Sequence, residues 1–181
     1  MKVLVFGFPR YADHENNPSE KILPLIDGGE IVTKLLPLSW EEVKEAVNSA
    51  IDETKPDAVI VANICPFRHQ PTAEQYAYNG MNSAGMPDKD GIYKENETIV
   101  EGGAASITTS IDIETLANYL HNQGYSGYRS VDPGHYIDNE AYYLALSKIK
   151  QSLLLHLPTT DYYSIEDDAE VVKVIIDYLN Y

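Results

Sequence analysis

Side chains capable of chemistry stand where apolar runs of the sequence end. Polar segments follow these runs at residues 7–17, at residues 63–74 and from His156 onward, and another, 132–138, precedes a helical pattern. Ligands of an open α/β sheet bind outside the carboxyl ends of its strands. We therefore expect these segments to converge on one site, although a lone His after a buried strand is ordinarily a core residue.

Metal-assisted hydrolysis is one chemistry open to these segments. Asp132, His135 and Asp138 are close in sequence, and His156 would add a second imidazole. Two imidazoles with carboxylates form a common type of transition-metal site. No nucleotide-phosphate loop or dinucleotide fingerprint accompanies them. A metal-dependent hydrolase is therefore an alternative, but we expect no metal and no other cofactor.

The composition limits the class of protein. The 181 residues are enough to bury a sheet between helices, and we predict a single domain over residues 1–181. A net charge of −15 repels phosphate backbones and anionic lipid, so we expect neither nucleic acid nor membrane as a partner. Apolar runs are far shorter than the ~20 residues of a spanning helix. With one cysteine, Cys65, and a start typical of a strand rather than a signal peptide, the sequence predicts a cytoplasmic protein.

Apolar periodicity predicts alternating strands and helices. Strands buried on both faces are predicted at 2–6, 31–35, 57–63 and 152–156. Helices are predicted at 39–54, opened by a capping box, at 112–123, closed by Gly124, and at 136–150 and 165–179. The stretch 76–100 has no helical period and predicts loop and hairpin. This order predicts an α/β fold, a three-layer α/β/α sandwich with a mainly parallel twisted sheet.

Five blocks of motifs follow one another along nearly the whole chain. They are Gly-Phe-Pro-Arg-Tyr at 7–11 with Asn-Pro-Ser at 17–19; Lys-Pro-Asp at 55–57 leading to Pro-Phe-Arg at 66–68; Glu-Gln-Tyr-Ala-Tyr-Asn at 74–79 with Pro-Asp-Lys-Asp-Gly at 87–91; Ser-Val-Asp-Pro-Gly-His-Tyr-Ile-Asp-Asn at 130–139; and Leu-His-Leu-Pro at 155–158. In this order and at nearly the same spacings, the chain resembles the pyroglutamyl peptidase I (pyrrolidone-carboxylate peptidase) family.

The resemblance implies removal of an N-terminal pyroglutamate from a peptide by a Cys nucleophile, a His base and a Glu that orients the His. Matched by motif, the orienting acid is Glu74 and the base is His156, while the nucleophile position falls on Asp138. Cys65 matches a position where the family usually has a small residue, and we expect it to be a buried packing residue.

The resemblance also implies a pocket for the lactam ring of the substrate. Phe8 and Tyr11 match the aromatic pair that encloses the ring, Asn63 or Ile64 would contact the lactam amide, and Arg68 would have a structural or oxyanion-side role. The segment 82–86, Asn-Ser-Ala-Gly-Met, departs from the family's Asp-Ala-Arg-Ile and predicts altered specificity. The family further implies a homo-oligomer, a dimer or a tetramer.

The aspartate at position 138 leaves two main hypotheses. The first is a hydrolase for a lactam or an N-terminally cyclised amide, with Asp138 in place of the thiol. The second is a non-catalytic pseudoenzyme that binds a pyroglutamyl or related lactam ligand, since Asp138 can simply cap its helix and its attack on an amide would yield an anhydride. In either case we expect a carboxylate such as Glu74 within hydrogen-bond reach of His156, and Asp138 on the other side of the ring.

Overall fold

A mainly parallel sheet forms the centre of the protein. The computed structural model describes residues 1–10 and 16–181. Its strands are β1 (Val3–Gly7), β2 (Ile31–Leu35), β3 (Ala58–Ile64), β4 (Thr72–Glu74), β5 (Tyr76–Tyr78), β6 (Ser106–Thr108), β7 (Tyr128–Ser130) and β8 (Ser152–Leu157). Six of them pair in the order β2-β1-β3-β8-β4-β7, and β5 pairs with β6 as a separate antiparallel ribbon.

Helices cover both faces of the sheet. They are α1 (Pro18–Ile26), α2 (Val43–Thr54), α3 (Ile113–Asn122), α4 (Ile137–Lys148) and α5 (Ile165–Leu179). Alternate residues of β1 separate two cores: Val3 and Val5 pack with α1, α3 and α5, whereas Leu4 and Phe6 pack with α2 and α4. The predicted three-layer α/β/α sandwich is therefore confirmed.

The strand predictions are correct in position but not in every detail. β1, β3 and β8 are buried along their whole length, as predicted, and run parallel to one another. β2 is only partly buried because it is an edge strand, so the prediction of burial on both faces is wrong there. β4 runs antiparallel to β8 and parallel to β7.

The helix predictions hold except at one start. α5 has the predicted bounds, and α3 begins after Asp112 and ends before Gly124, whose φ is +87°. The predicted capping box at 39–42 does not form: Ser39 Oγ bonds to Asp90, and α2 begins at Val43 without a side-chain cap. The segment containing Asp90 provides a tertiary acceptor that local sequence does not reveal.

The polar ends of β3, β4 and β8 lie on the same side of the sheet as α4. Alternation along these strands turns Asn63, Glu74 and His156 toward the core that α4 shares, because their neighbours Ala62, Ala73 and Leu155 belong to the core on the other surface of the sheet. The first turn of α4 faces these three side chains. No helix of the described chain is long and apolar enough to cross a membrane.

Candidate active site

Three titratable side chains form a continuous hydrogen-bonded array. His156 Nδ1 lies 2.9 Å from Glu74 Oε1, and His156 Nε2 lies 3.0 Å from Asp138 Oδ2. All three side chains are buried. The expected contacts on the two sides of the imidazole are therefore present, while the catalytic roles of the three residues stay predictions.

Two strands and one helix position the array. Asn63 of β3 is the register partner of His156 in β8, and β4 runs antiparallel on the other side of β8 and ends at Glu74. Tyr142, one turn beyond Asp138 in α4, donates its hydroxyl to the backbone carbonyl of Glu74 at 2.9 Å. This bond ties α4 to β4, so the two carboxylates are held at a fixed separation around the ring.

The array keeps the His156 ring protonated. Burial, the largest single effect, lowers the pKa of His156, but hydrogen bonds to Asp138 and Glu74 together with the charge of Asp138 outweigh it and raise this pKa from 6.5 to about 10. A ring protonated at both nitrogens can donate to both carboxylates. At neutral pH the imidazole therefore carries a positive charge and has no lone pair with which to accept a proton.

Asp138 uses both of its carboxylate oxygens within the protein. Oδ2 faces the His156 ring and also accepts from Asn63 Nδ2 at 3.1 Å, while Oδ1 accepts from the backbone N–H of Asn139 at 3.0 Å. Asp138 lies in the first turn of α4, whose N-cap residue Tyr136 makes no side-chain capping bond. The carboxylate thus accepts a backbone hydrogen bond in the first turn of the helix and contacts the imidazole at the same time. Hydrogen bonds to the charged form stabilise it and reduce its reactivity.

Arg68 holds Glu74 from the solvent side. Its Nη2 lies 3.3 Å from Glu74 Oε1 and also donates to Ser130 Oγ and to the carbonyl of Asp132. Glu74 Oε2 is buried and has no hydrogen-bond partner in the described part of the chain. The arrangement is consistent with the structural role predicted for Arg68, and an oxyanion-side role stays a prediction.

Asn63 has a different surrounding from the one expected. Its amide group donates to Asp138, and its Oδ1 accepts from Asn17 Nδ2 at 3.0 Å and from the N–H of Ile64 at 2.9 Å. Through these bonds Asn63 positions the Asp138 carboxylate, and the side-chain amide of Asn63 has its hydrogen-bond partners within the protein. Contact of Asn63 or Ile64 with a lactam stays a prediction, although both residues line the cavity described next.

A cavity of about 400 Å³ opens onto Asp138 and His156. Its wall includes Ile64 and residues 65–68 on one side and residues 132–136 on the other. A second cavity, of about 310 Å³, is lined by Arg10, Leu38 and residues 86–89. Tyr136 lines both cavities and therefore stands between them.

The predicted aromatic pair is only partly described. Phe8 is completely buried in the core shared by α2 and α4 and does not line either cavity. Tyr11 lies outside the described residues. A role for these two residues in enclosing a lactam therefore stays a prediction. Arg10, the last described residue before Tyr11, lines the smaller cavity.

Cys65 was misjudged from the sequence as a buried packing residue. The structure places it, partly exposed, on the wall of the larger cavity with Asp138 and His156. The signal was available in part, because Cys65 directly follows a strand whose carboxyl end was expected to bind ligand. Both nitrogens of His156 face carboxylates, so no ring nitrogen is directed to the thiol.

The metal alternative finds no support in the geometry. Among residues 1–10 and 16–181, no group of three or more His, Cys, Asp and Glu side chains is arranged to hold a metal ion. His135 instead stacks on Tyr78, with ring centroids 5.3 Å apart, and Asp132 Oδ1 accepts from the N–H of Gly134.

The fold and the array together define a class: an α/β protein with an acid–His–acid array at the carboxyl edge of its sheet. The family model for pyroglutamyl peptidase matches residues 1–164. The chain is 31% identical over 169 residues to a pyrrolidone-carboxylate peptidase of Pyrococcus furiosus, covering 87% of this chain and 81% of that protein. It is 27% identical to one of Saccharolobus islandicus over 98% of this chain and 88% of the relative.

Solved structures agree with the sequence comparison. The pyrrolidone carboxyl peptidase of P. furiosus superposes with a TM-score of 0.91 at 30% identity, over 98% of this chain and 97% of the other. That of Thermus thermophilus gives a TM-score of 0.88 at 27% identity, over 97% and 98% of the two chains. The chain belongs to the pyroglutamyl peptidase family, a family of peptide hydrolases.

Proposed function

We propose that this protein binds a lactam or an N-terminally cyclised amide, and that Asp138 stands where the family's thiol nucleophile would be. The observation that carries the proposal is the Glu74–His156–Asp138 array, with contacts of 2.9 and 3.0 Å, beside a cavity of about 400 Å³. A concave cavity with a few convergent polar groups is the usual form of a small-ligand site.

The two cavities suggest how a cyclised peptide would lie. Arg10 lines the smaller cavity, and it stands between Phe8 and Tyr11, the two residues expected to enclose the lactam. The lactam ring would enter there, and the amide that follows it would pass Tyr136 toward Asp138. The rest of the peptide would leave through the larger cavity, which opens between residues 65–68 and 132–136.

The geometry favours binding without thiol-type turnover. In acyl transfer to a thiol, the imidazole takes the proton of the nucleophile. Here no thiol occupies that place, because each nitrogen of His156 faces a carboxylate. Attack by Asp138 itself would give an anhydride from a carboxylate that three hydrogen bonds already stabilise.

Hydrolysis through Asp138 is the second candidate function. It is favoured by the retention of Glu74 and His156 in contact, an arrangement that binding alone does not require. Asp138 would then take a proton from a water molecule whose oxygen attacks the amide carbon. The C–N bond breaks, the same proton passes from Asp138 to the leaving amine, and pyroglutamate is released as the free acid. The loss of activity in Asp138→Asn, with binding retained, would identify this route.

The test compares binding with cleavage in matched variants. Binding of pyroglutamyl-alanine amide is measured by calorimetry, and release of pyroglutamate is measured by chromatography, for wild type, Cys65→Ser and Asp138→Cys in the Cys65→Ser background. We expect wild type and Cys65→Ser to bind with no alkylation-sensitive cleavage. We expect the new thiol at position 138 to react with iodoacetamide faster than Cys65 does in wild type, because it lies at a helix start beside an imidazolium.

Three results would contradict the proposal. Absence of binding to any pyroglutamyl amide would remove the lactam-binding function. Cleavage by wild type that is abolished in Cys65→Ser would assign the nucleophile to Cys65 instead. A thiol at position 138 that reacts no faster than Cys65 would show that position 138 is not the thiol position of a working array.

A further inference from the structure

Phe67 places a solvent-exposed aromatic ring on the wall of the larger cavity. Its exposure is 91%, although it lies beside Cys65 and Arg68, which are only partly exposed. Isolated apolar residues on a surface are common. An exposed ring on a cavity wall is different, because a ligand in that cavity would cover it and gain the free energy of removing it from water.

A rigid turn presents the ring. The N–H of Arg68 donates to the carbonyl of Cys65 at 2.9 Å and closes a four-residue turn with Pro66 and Phe67 at its corner. Pro66 fixes one backbone dihedral of this corner. The turn is anchored at its start by the N–H of Cys65, which donates to Leu157 at 2.8 Å, and at its end by the side chain of Arg68 on Glu74. A ligand would therefore meet a backbone that already holds the Phe67 side chain at the cavity wall, and only the rotamer of the ring would have to be ordered.

The polar groups of the same wall are largely committed within the protein. The side chains with such bonds are Asn63, Arg68, Asn82, Tyr136, Asp138 and His156. The remaining lining is mixed: Cys65, Asp132 and His135 contribute polar atoms, whereas Ile64, Pro66 and Phe67 form a contiguous apolar part at the 64–67 segment. It is this apolar part, with Phe67 as its most exposed member, that would gain by contact with an apolar side chain.

We infer that Phe67 determines specificity in a subsite for an apolar side chain, that of the residue following the lactam in a peptide ligand. The inference rests on the proposed function, and it names the ligand class as pyroglutamyl peptides with an aromatic or aliphatic second residue. An aromatic second residue would pair with the ring of Phe67 at an offset or edge-to-face geometry.

The test uses amides that differ only in the second residue. Binding of pyroglutamyl-phenylalanine, -leucine, -alanine and -lysine amides is measured by calorimetry for wild type, Phe67→Ala, Phe67→Tyr and Tyr128→Ala. Tyr128 is a matched control because it is an exposed aromatic residue, at 56%, that does not line the cavity.

We expect wild type to bind the phenylalanine and leucine amides most tightly. Phe67→Ala should weaken the phenylalanine amide about tenfold and leave the alanine amide nearly unchanged. Phe67→Tyr and Tyr128→Ala should behave as wild type.

The outcomes separate this inference from the proposed function. If no pyroglutamyl amide binds to wild type, the proposed function fails and the subsite fails with it. If all four amides bind and Phe67→Ala weakens none of them selectively, only the subsite is overturned. Tighter binding of the lysine amide would also overturn it. If Phe67→Ala instead lowers the oligomeric mass in light scattering and leaves the affinities unchanged, a second copy of the chain covers the ring and the assignment is wrong.

Discussion

His156 is held between two carboxylates, and this arrangement fixes its charge. The hydrogen bonds to Asp138 and Glu74 outweigh burial and raise the pKa of His156 to about 10. In an unfolded chain the same ring has an ordinary pKa near 6.5. The protonated ring therefore contributes stability that is fully present below about pH 6.5 and is lost as the pH rises through about 10.

We predict that His156 stays doubly protonated from pH 6 to 9, which nitrogen-15 chemical shifts of the ring would show. His121 is the control because it is exposed. Replacing His156 by Gln should remove the fall in the free energy of unfolding between about pH 8 and pH 10, on the order of a few kcal/mol.

Two buried carboxyl groups also make the protein less stable as the pH rises: Glu140, with its pKa raised by burial to about 7, and Asp168, with its pKa raised by burial to about 8. Both carboxyl groups are present in wild type and in His156→Gln, so the difference between the two pH profiles reports His156. Titration of the His156 ring near pH 6.5 would contradict the array.

At the residue scale, the sequence predicted correctly those site residues that belong to a recognisable motif. It did not predict residues whose surroundings depend on tertiary contacts. The contact of Glu74 and Asp138 with His156 was expected because each residue belongs to a recognisable motif. The engagement of Asn63 with Asp138 and Asn17 depends on side-chain rotamers across three elements, and no sequence pattern encodes it. Cys65 was misplaced for a related reason: its exposure is set by the turn at 65–68, which closes only when β3 pairs with β8.

At the scale of elements, long apolar runs were predictable and three-residue strands were not. β1, β3, β8 and the helices α3 and α5 were expected close to their observed bounds, because the strands are continuous apolar runs and the helices bury a periodic face. β4 and β7 have three residues each, too few to show alternation, and they form because they extend the edge of β8. Since β4 carries Glu74, periodicity could not detect the strand that brings this carboxylate to His156.

The start of α4 is held to β5 by one buried amide. Asn139 Oδ1 accepts from the N–H of Tyr78, and its Nδ2 donates to the carbonyls of Tyr78 and Gly80. We predict that Asn139→Ala lowers the free energy of unfolding by about 2–4 kcal/mol, because it leaves these backbone groups without a partner. Asn122→Ala is the control, since that side chain is exposed at the end of α3. Urea unfolding measures both, and equal, small changes would show that Asn139 does not anchor α4.

The whole molecule should associate with copies of itself. The family resemblance implies a dimer or a tetramer, and the edge strand β2 leaves Leu35 exposed at 47%. We predict a mass in solution that is a multiple of 20.2 kDa, measured by size-exclusion chromatography with light scattering. Leu35→Lys tests whether β2 takes part, with the exposed Leu25 in α1, replaced by Lys, as its control. A mass of one chain at all protein concentrations would contradict the prediction.

Salt should separate two electrostatic regimes of this molecule. The chain has 28 acidic and only 13 basic residues, so negative charges on the folded surface repel one another. Salt screens such exposed charges strongly. The Glu74–His156–Asp138 array is buried and should be screened much less. We predict that raising NaCl from about 20 mM to about 500 mM increases the free energy of unfolding by about 1–2 kcal/mol. Over the same range the pKa of His156, followed by nitrogen-15 chemical shifts, should stay nearly constant. If the pKa of His156 falls with salt toward the ordinary value of 6.5, solvent reaches the array and the ring is free to take up a proton at neutral pH.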